Sequence, residues 1–461
     1  MNQSGSRQGG DLTQGPILRT LIVFAIPAML TNLLQTLGGT INTIWVGQLL
    51  GEGALAATAN ANIVVFVAFA AVYGFGMATT VKVGQNFGAR DIDGARRTFG
   101  TGTGFCLLLS ILGAIGGWFL SDPLLHLLAT PPPIHADALA YLKVSFLSMP
   151  AGMLGMMLAM GLRGVGDSRT PLYSMALTTV FGIALNPLLI LGWGPIPRLG
   201  IAGSALANVI ANVVGTGWMI AWMYRRDLPL RLRGAELRYV LPLRDELGYV
   251  LGKGLPMGAQ MIVSSAAAVI MVGLVNKEGM ITTAGYGALM QIWNYIQMPA
   301  FAISTAVSAM VAQNIGASAH QRVSEITRAG VISNTVVTAL LTIALIAFDR
   351  PLLTLFLGKG SAAIPVAEHI QLIATWAWVL TGVMMVLSGT LRAYGVVIVP
   401  LLIMIVSQYF ARLGFYFAFQ PSMGADALWW SYPFGGVVAV ALTWWTYARG
   451  SWRRVHIPAE N

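Results

Sequence analysis

The run IVVFVAFAAVYGFGMATTV, residues 63 to 81, carries no charged side chain. About twenty apolar residues are what a helix needs to cross the hydrocarbon core of a bilayer. Comparable runs recur along the whole chain, VVTALLTIALIAF at 336 to 348 among them. In lipid every backbone N–H and C=O must find its partner within the segment, so such runs form helices. Only 10% of the 461 residues are charged, against about 25% in a soluble domain. That leaves too little charge to cover a water-facing surface. The expected class is an all-α integral membrane protein. The first sixteen residues are polar and Gly-rich and read as no cleavable signal, so the first apolar run is expected to stay as a span. The lone Cys106 excludes an intramolecular disulfide.

Twelve spans are expected, near 17–46, 53–81, 97–120, 137–162, 171–193 and 201–224, then 254–275, 281–311, 328–348, 366–391, 396–419 and 427–448. This divides the chain into a tail (1–16), a six-helix lobe (17–224), an Arg-rich linker (225–247), a second six-helix lobe (248–448) and a tail (449–461). The basic residues sort by side. Arg7, Arg19, Lys82, Arg90, Arg96, Arg97, Arg163, Arg169 and the arginines of the linker fall on the side of the N-terminus. So do Arg322, Arg328, Arg392, Arg449, Arg453 and Arg454, while the other side holds only Arg198, Lys277, Arg350 and Lys359. The positive-inside rule then expects both termini in the cytoplasm of a cell (inner) membrane. The net charge of +10 reads as topology and contact with anionic lipid, and not as a nucleic-acid footprint.

The chain repeats itself. Pro27, Leu162, Arg163, Gly166 and Pro171 recur 229 residues later as Pro256, Leu391, Arg392, Gly395 and Pro400. QNFGA at 85 to 89 returns as QNIGA at 313 to 317, and Pro123-Leu124-Leu125 as Pro351-Leu352-Leu353, both at 228. A constant shift marks a duplication. Six spans separate equivalent points, so the halves are expected to have the same orientation, as in parallel-repeat transporters. QNxGA reads as a helix stop after the second span of each half, with Gly88 and Gly316 releasing the backbone.

The text AIPAML at Pro27, QNFGA, LRGVGDSRTP at 162 to 171, NPLLILG at 186 to 192 and LGIAGSALAN at 199 to 208 resembles the multidrug and toxic compound extrusion (MATE) family over nearly the whole chain. The resemblance implies two six-helix lobes arranged in a V. It also implies efflux of organic compounds against a Na⁺ or H⁺ gradient by rocking alternating access, without a cofactor. The expected partners are small-molecule substrates and the lipid bilayer, with the protein as a monomer. Where the family carries acids, this chain carries Asn42, Asn186, Ser264 and Thr381, and Asn208 stands at a family Thr. None of the 17 acidic residues falls at mid-span on this reading. Amides and hydroxyls do not exchange protons near neutral pH, but their oxygens can face Na⁺ or a substrate.

Polar side chains at membrane depth mark the remaining candidates, since they are costly to keep there. Asn32, Gln35 and Asn42 share a face of the first span; Ser204, Asn208 and Asn212 form an i, i+4, i+8 ridge on the sixth. Ser204 and Asn212 read as interhelical glue, Asn42 and Asn186 as site residues. Second-lobe candidates are Gln260, Ser264, Gln291, Asn294, Gln297, Thr381 and Arg412. Arg412 cannot shed its charge and needs a partner, a polar cavity or an anionic ligand. Lys143 reads as snorkelling, and Met153, Met156, Met157 and Met160 as packing. Pro27 and Pro256 are candidate hinges. Arg163, Gly166, Asp167 and Arg392 are expected to fix the cytoplasmic loops, with Arg163 and Asp167 spaced to pair. No metal-ligand cluster, nucleophile triad or phosphate loop stands out, which disfavours an enzyme or receptor. A flippase-like exporter of lipid-linked or anionic cargo is the alternative to drug efflux.

Overall fold

The structure, a computed structural model, describes residues 10–194, 197–450 and 452–453. Of the expected tails, residues 1–9, 451 and 454–461 lie outside these, and Arg7 and Arg454 with them. Among the described residues every regular element is helical. The chain forms two compact units. The first holds Leu30–Gly258 with the described residues up to Asp11; the second holds Leu12–Met29 with the described residues from Ala259 onward. The division falls just after Pro27 and just after Pro256, at positions equivalent in the repeat.

The first unit is built from α1 (Ile17–Leu50, from Leu30 onward), α2 (Glu52–Gly88), α3 (Ile92–Leu127), α4 (Pro132–Gly164), α5 (Arg169–Leu191) and α6 (Gly200–Arg225). The second contains α7 (Arg244–Lys277, from Ala259 onward), α8 (Met280–Gly316), α9 (His320–Ala347), α10 (Asp349–Leu357), α11 (Ala363–Ala374) and α12 (Ala377–Ala393). It continues through α13 (Ile398–Ile405), a π-helical segment (Val406–Ala411), α14 (Arg412–Met423) and α15 (Asp426–Arg449). Among the described residues ten helices are long and apolar enough to cross a membrane, Ile398–Met423 counting as one. The pair α11 and α12, bent by 42°, makes eleven. The twelfth expected span is α15, which is less apolar but carries Trp429-Trp430 and Trp444-Trp445 near its two ends. At 1.5 Å per residue those pairs stand about 22 Å apart. Trp430 at one end and Trp444-Trp445 at the other are exposed, as aromatic anchors at a bilayer's two interfaces are, whereas Trp429 is buried against Tyr286.

The repeated QNxGA is a helix stop in both halves, with α2 ending at Gly88 and α8 at Gly316, but its glycines do not make the turn. Gly88 and Gly316 are the last helical residues and have no positive φ, and Ala89 and Ala317 cap the two helices. The left-handed residues come two positions later, at Arg90 (φ 62°) and Ser318 (φ 56°). The Asp91 N–H donates to Asn86 O, and the Ala319 N–H to Asn314 O, closing each helix end. The side-chain amides brace neighbouring chain. Gln313 Oε1 accepts from the Leu12 N–H at 3.0 Å, and Asn314 Nδ2 donates to Leu12 O at 3.1 Å. Asn86 Nδ2 donates to Thr98 Oγ1, whose hydroxyl donates to Glu246 Oε2 at 2.7 Å.

The Arg-rich linker is docked on α3. Arg96 bonds Glu236 at 2.6 Å and Pro229 O at 2.8 Å, and Tyr239 donates to Asp93 at 2.8 Å. Gly100 and Gly104 leave room for its backbone: a Cβ on Gly104 would meet Val240 O at 1.7 Å.

Candidate functional site

In the first unit, the site residues meet through neutral polar contacts. Ser204 Oγ on α6 donates to Asn42 Oδ1 on α1 at 2.9 Å. The phenol of Tyr141, buried on α4, shares side-chain hydrogen bonds with Asn42, Asn62 and Ser145. Ser204, read from the sequence as glue, is thus a direct partner of Asn42. Tyr141 was missed because a tyrosine in an apolar run gives no periodic polar signal. Asn186 on α5 is 1% exposed; its Nδ2 donates to Gly182 O at 3.0 Å, and its Oδ1 has no hydrogen-bond partner. A buried acceptor without a donor costs of order 1–3 kcal/mol, so a hydrogen-bond donor or a cation brought to this oxygen would be stabilised there. Asn212 donates to Ser148 Oγ across α6 and α4 at 3.0 Å. Asn32 and Asn208 are half-buried and Gln35 is exposed. The methionines of α4 pack inward: Met153, Met157 and Met160 are buried. Lys143 Nζ lies over the Trp118 ring at 5.7 Å.

The second unit has a different centre. Arg412, the first residue after the π-helical segment, lies 3.8 Å from the centroid of the Tyr432 ring. Its Nε and Nη2 are buried without a hydrogen-bond partner. The Tyr432 hydroxyl meets that of Tyr286 at 2.5 Å. Trp293, fully buried, contacts the rings of Tyr286, Trp378 and Tyr432 at 5.6 to 5.9 Å and donates from Nε1 to Thr375 Oγ1 at 2.9 Å. Thr375 stands at the break between α11 and α12. Gly435 makes the space for Arg412, since a Cβ there would come within 2.3 Å of Arg412 Cγ. The sequence reading singled out Arg412 but missed this aromatic shell, because the rings come from three separate helices, α8, α12 and α15.

The other second-lobe candidates are dispersed. Gln260 is buried and donates to Val397 O at 3.3 Å. Ser264 is half-buried, and Thr381 donates to Ala377 O in its own helix at 2.9 Å. Gln291 and Asn294 lie on the exposed side of α8, with Gln297 half-buried. A further polar ridge, Asn334, Thr338 and Thr342, is fully buried on α9; its i, i+4, i+8 spacing was readable in the sequence.

The loop candidates act structurally. Asp167 does not pair with Arg163. Its Oδ1 accepts from the Arg169 and Thr170 N–H groups at 3.0 Å, and its Oδ2 from the Thr170 hydroxyl at 2.5 Å, satisfying the open end of α5. Gly166 adopts φ 83° and Gly395, its repeat counterpart, φ 77°. Arg392 donates to Ser304 Oγ at 3.4 Å. No described acidic residue sits in the middle of a long helix. Asp122, Asp137 and Glu325 come nearest and still lie close to the ends of α3, α4 and α9.

The MatE family model matches residues 27–188 and again residues 256–417. The two matches begin 229 residues apart, the offset of the repeat. The chain belongs to the MatE family. Among its relatives is the probable multidrug resistance protein YoeA of Bacillus subtilis (strain 168), 30% identical over 443 residues, which cover 96% of this chain and 95% of YoeA. The probable multidrug resistance protein YpnP of the same organism is 30% identical over 452 residues, 98% and 99% of the two chains. A crystal structure of MATE in the straight conformation superposes with a TM-score of 0.89 at 21% identity, covering 98% of this chain and 100% of the other. As a MATE-family chain this is a multi-pass membrane transporter whose two halves each match the family model.

Proposed function

We propose that this MATE-family protein is an efflux antiporter that exports amphipathic organic compounds by alternating access, with both termini in the cytoplasm. The driving ion on this reading is Na⁺, and no proton is carried at positions 42 or 186. The observation that carries it is the buried, donorless Oδ1 of Asn186, in the same unit as the neutral Asn42, Ser204 and Tyr141 contacts. Amide and hydroxyl oxygens can contribute to a Na⁺ shell, whereas none of them holds an exchangeable proton near pH 7. Pro27 and Pro256, next to the points where α1 and α7 pass between units, are the hinge residues on this reading.

Transport of a fluorescent dye and a fluoroquinolone into proteoliposomes, under a Na⁺ gradient or a pH gradient imposed separately, tests the proposal. Transport under the Na⁺ gradient alone, lost in Asn186→Ala, is expected. Transport under a pH gradient alone would refute the coupling, and none under either gradient would refute drug efflux.

A second reading concerns cargo charge and is favoured by Arg412. A guanidinium with two buried, unpartnered nitrogens among aromatic rings favours an aromatic compound bearing a carboxylate or phosphate over a strongly cationic drug. Competition by an aromatic carboxylate that disappears in Arg412→Gln would establish it.

A further inference from the structure

The α3–α4 end of the first lobe gathers three metal-binding side chains that the sequence reading did not single out. Asp122 and His126 lie one helical turn apart near the end of α3, and His135 lies in the first turns of α4. His135 Nε2 stands 3.3 Å from Asp122 Oδ1, and His126 Nε2 stands 3.7 Å from the same oxygen. All three ligand atoms fall within 4.8 Å of one another. The imidazole rings lie 4.7 Å apart. His135 Nε2 is buried and has no hydrogen bond, the Asp122 contact lacking the geometry for one.

Those distances are informative. Zinc binds imidazole nitrogen and carboxylate oxygen at about 2.0–2.1 Å, and in a tetrahedron the edge between two such ligands is about 3.3–3.4 Å. One observed edge has that length and a second exceeds it by a few tenths of an ångström. The turn that joins the helices is short and fixed: Thr130 N–H bonds Leu125 O at 3.1 Å, and Pro131, Pro132 and Pro133 follow. His135 is therefore held near Asp122 before any ion arrives, so little ordering remains for binding to impose. Imidazole and carboxylate together suit zinc-class divalent ions; magnesium and calcium prefer oxygen alone.

The geometry points to a divalent metal site formed by Asp122, His126 and His135, taking one zinc-class ion with its fourth position open to water. The ion ties the end of α3 to the start of α4. His126 and Asp122 are largely exposed, so the ion enters directly from solvent. The charge pattern expects this end of the lobe on the exterior, where the site would respond to the metal content of the medium. The inference does not depend on which cargo or coupling ion the transporter uses.

The test is calorimetric titration of ZnCl₂ into the full-length protein in detergent, with its affinity tag removed and after chelator treatment, alongside a thermal unfolding scan. One saturable site and a raised, chelator-reversible Tm are expected. Loss of an outer hydrogen-bond partner of a metal ligand already weakens binding roughly 10–100-fold. His126→Gln and His135→Gln, each removing a ligand, should weaken it at least about tenfold. The near-isosteric Asp122→Asn should also weaken binding and serves if a histidine variant fails to fold. His369→Gln, which alters an imidazole 2.8 Å from Asp426 elsewhere, should bind as the parent does. The absence of a saturable site, or undiminished zinc affinity in the Asp122 and histidine variants, would overturn the inference.

Discussion

The two halves of this chain share a repeat but are built differently where function is expected. In the first lobe α3, α4 and α5 each run unbroken, although Pro123, Pro150 and Pro187 lie inside them. In the second lobe the corresponding stretches break between α9 and α10, bend between α11 and α12, and pass through a π-helical segment before α14. The chemistry diverges in step. At the offset of the repeat, Asn42 corresponds to Met271 or its neighbour Ile270, and Asn186 to Phe415 or its neighbour Gly414. Trp293 answers to Val65, and Arg412 to Ile183 or Ala184. One lobe has kept small neutral polar groups on regular helices. The other has gathered large rings and a fixed charge and bends its helices around them. Irregular turns free backbone groups that a regular helix would pair, and they often accompany functional sites. The lesson is that two halves of one duplicated frame can differ both in the regularity of their helices and in the chemistry they carry.

Substitutions can break that contrast. The largest expected effect is Trp293→Ala, which removes a fully buried ring and its bond to Thr375. A loss of about 3–5 kcal/mol is expected, read as a lowered Tm in detergent. Its repeat partner, Val65→Ala, should cost only about 1 kcal/mol. Equal losses at both positions would mean that the aromatic shell is not what holds the second lobe together. Next comes Gly435→Ala, whose new methyl collides with Arg412 Cγ. Overpacking of this kind costs about 1–3 kcal/mol. Gly414→Ala, with nothing within 4 Å, is the control that should leave the Tm close to the parent's. The smallest effect belongs to the first lobe: Ser204→Ala deletes one hydrogen bond to Asn42. An interhelical bond in a membrane protein averages about 0.6 kcal/mol. A loss several times larger would show that the neutral cluster acts as a cooperative unit.

Much of this was legible in the letters, for physical reasons. Lipid forces each apolar run into a helix, so spans and their ends could be read one at a time. The duplication could be read because equal spacing needs no knowledge of contacts. What resisted reading depends on groups brought together from distant stretches. Arg412 announced itself as a charge in an apolar run, but the rings around it come from α8, α12 and α15. Ser204 read as interhelical glue, but its partner Asn42 lies 162 residues away and could not be named from the sequence. Asp167 had the right spacing for Arg163, yet the unpaired N–H groups at the start of α5 were nearer. Gly88 and Gly316 looked like the release points of their helices, but Arg90 and Ser318 carry the left-handed turn.

The docking of Tyr239 and Val240 onto Gly100 and Gly104 has a consequence for handling the protein. The stretch from 225 to 244 is crowded with arginines and would pass for an easy target of trypsin. A protease needs several residues of chain drawn out straight into its cleft. Arg225 and Arg226 are exposed and open to attack. Arg238 is exposed too, but the buried Tyr239 behind it is pinned by Asp93 and the glycine bed of α3. Limited digestion should therefore nick the early part of the segment and spare the bond after Arg238, leaving the docked piece attached to the C-terminal fragment.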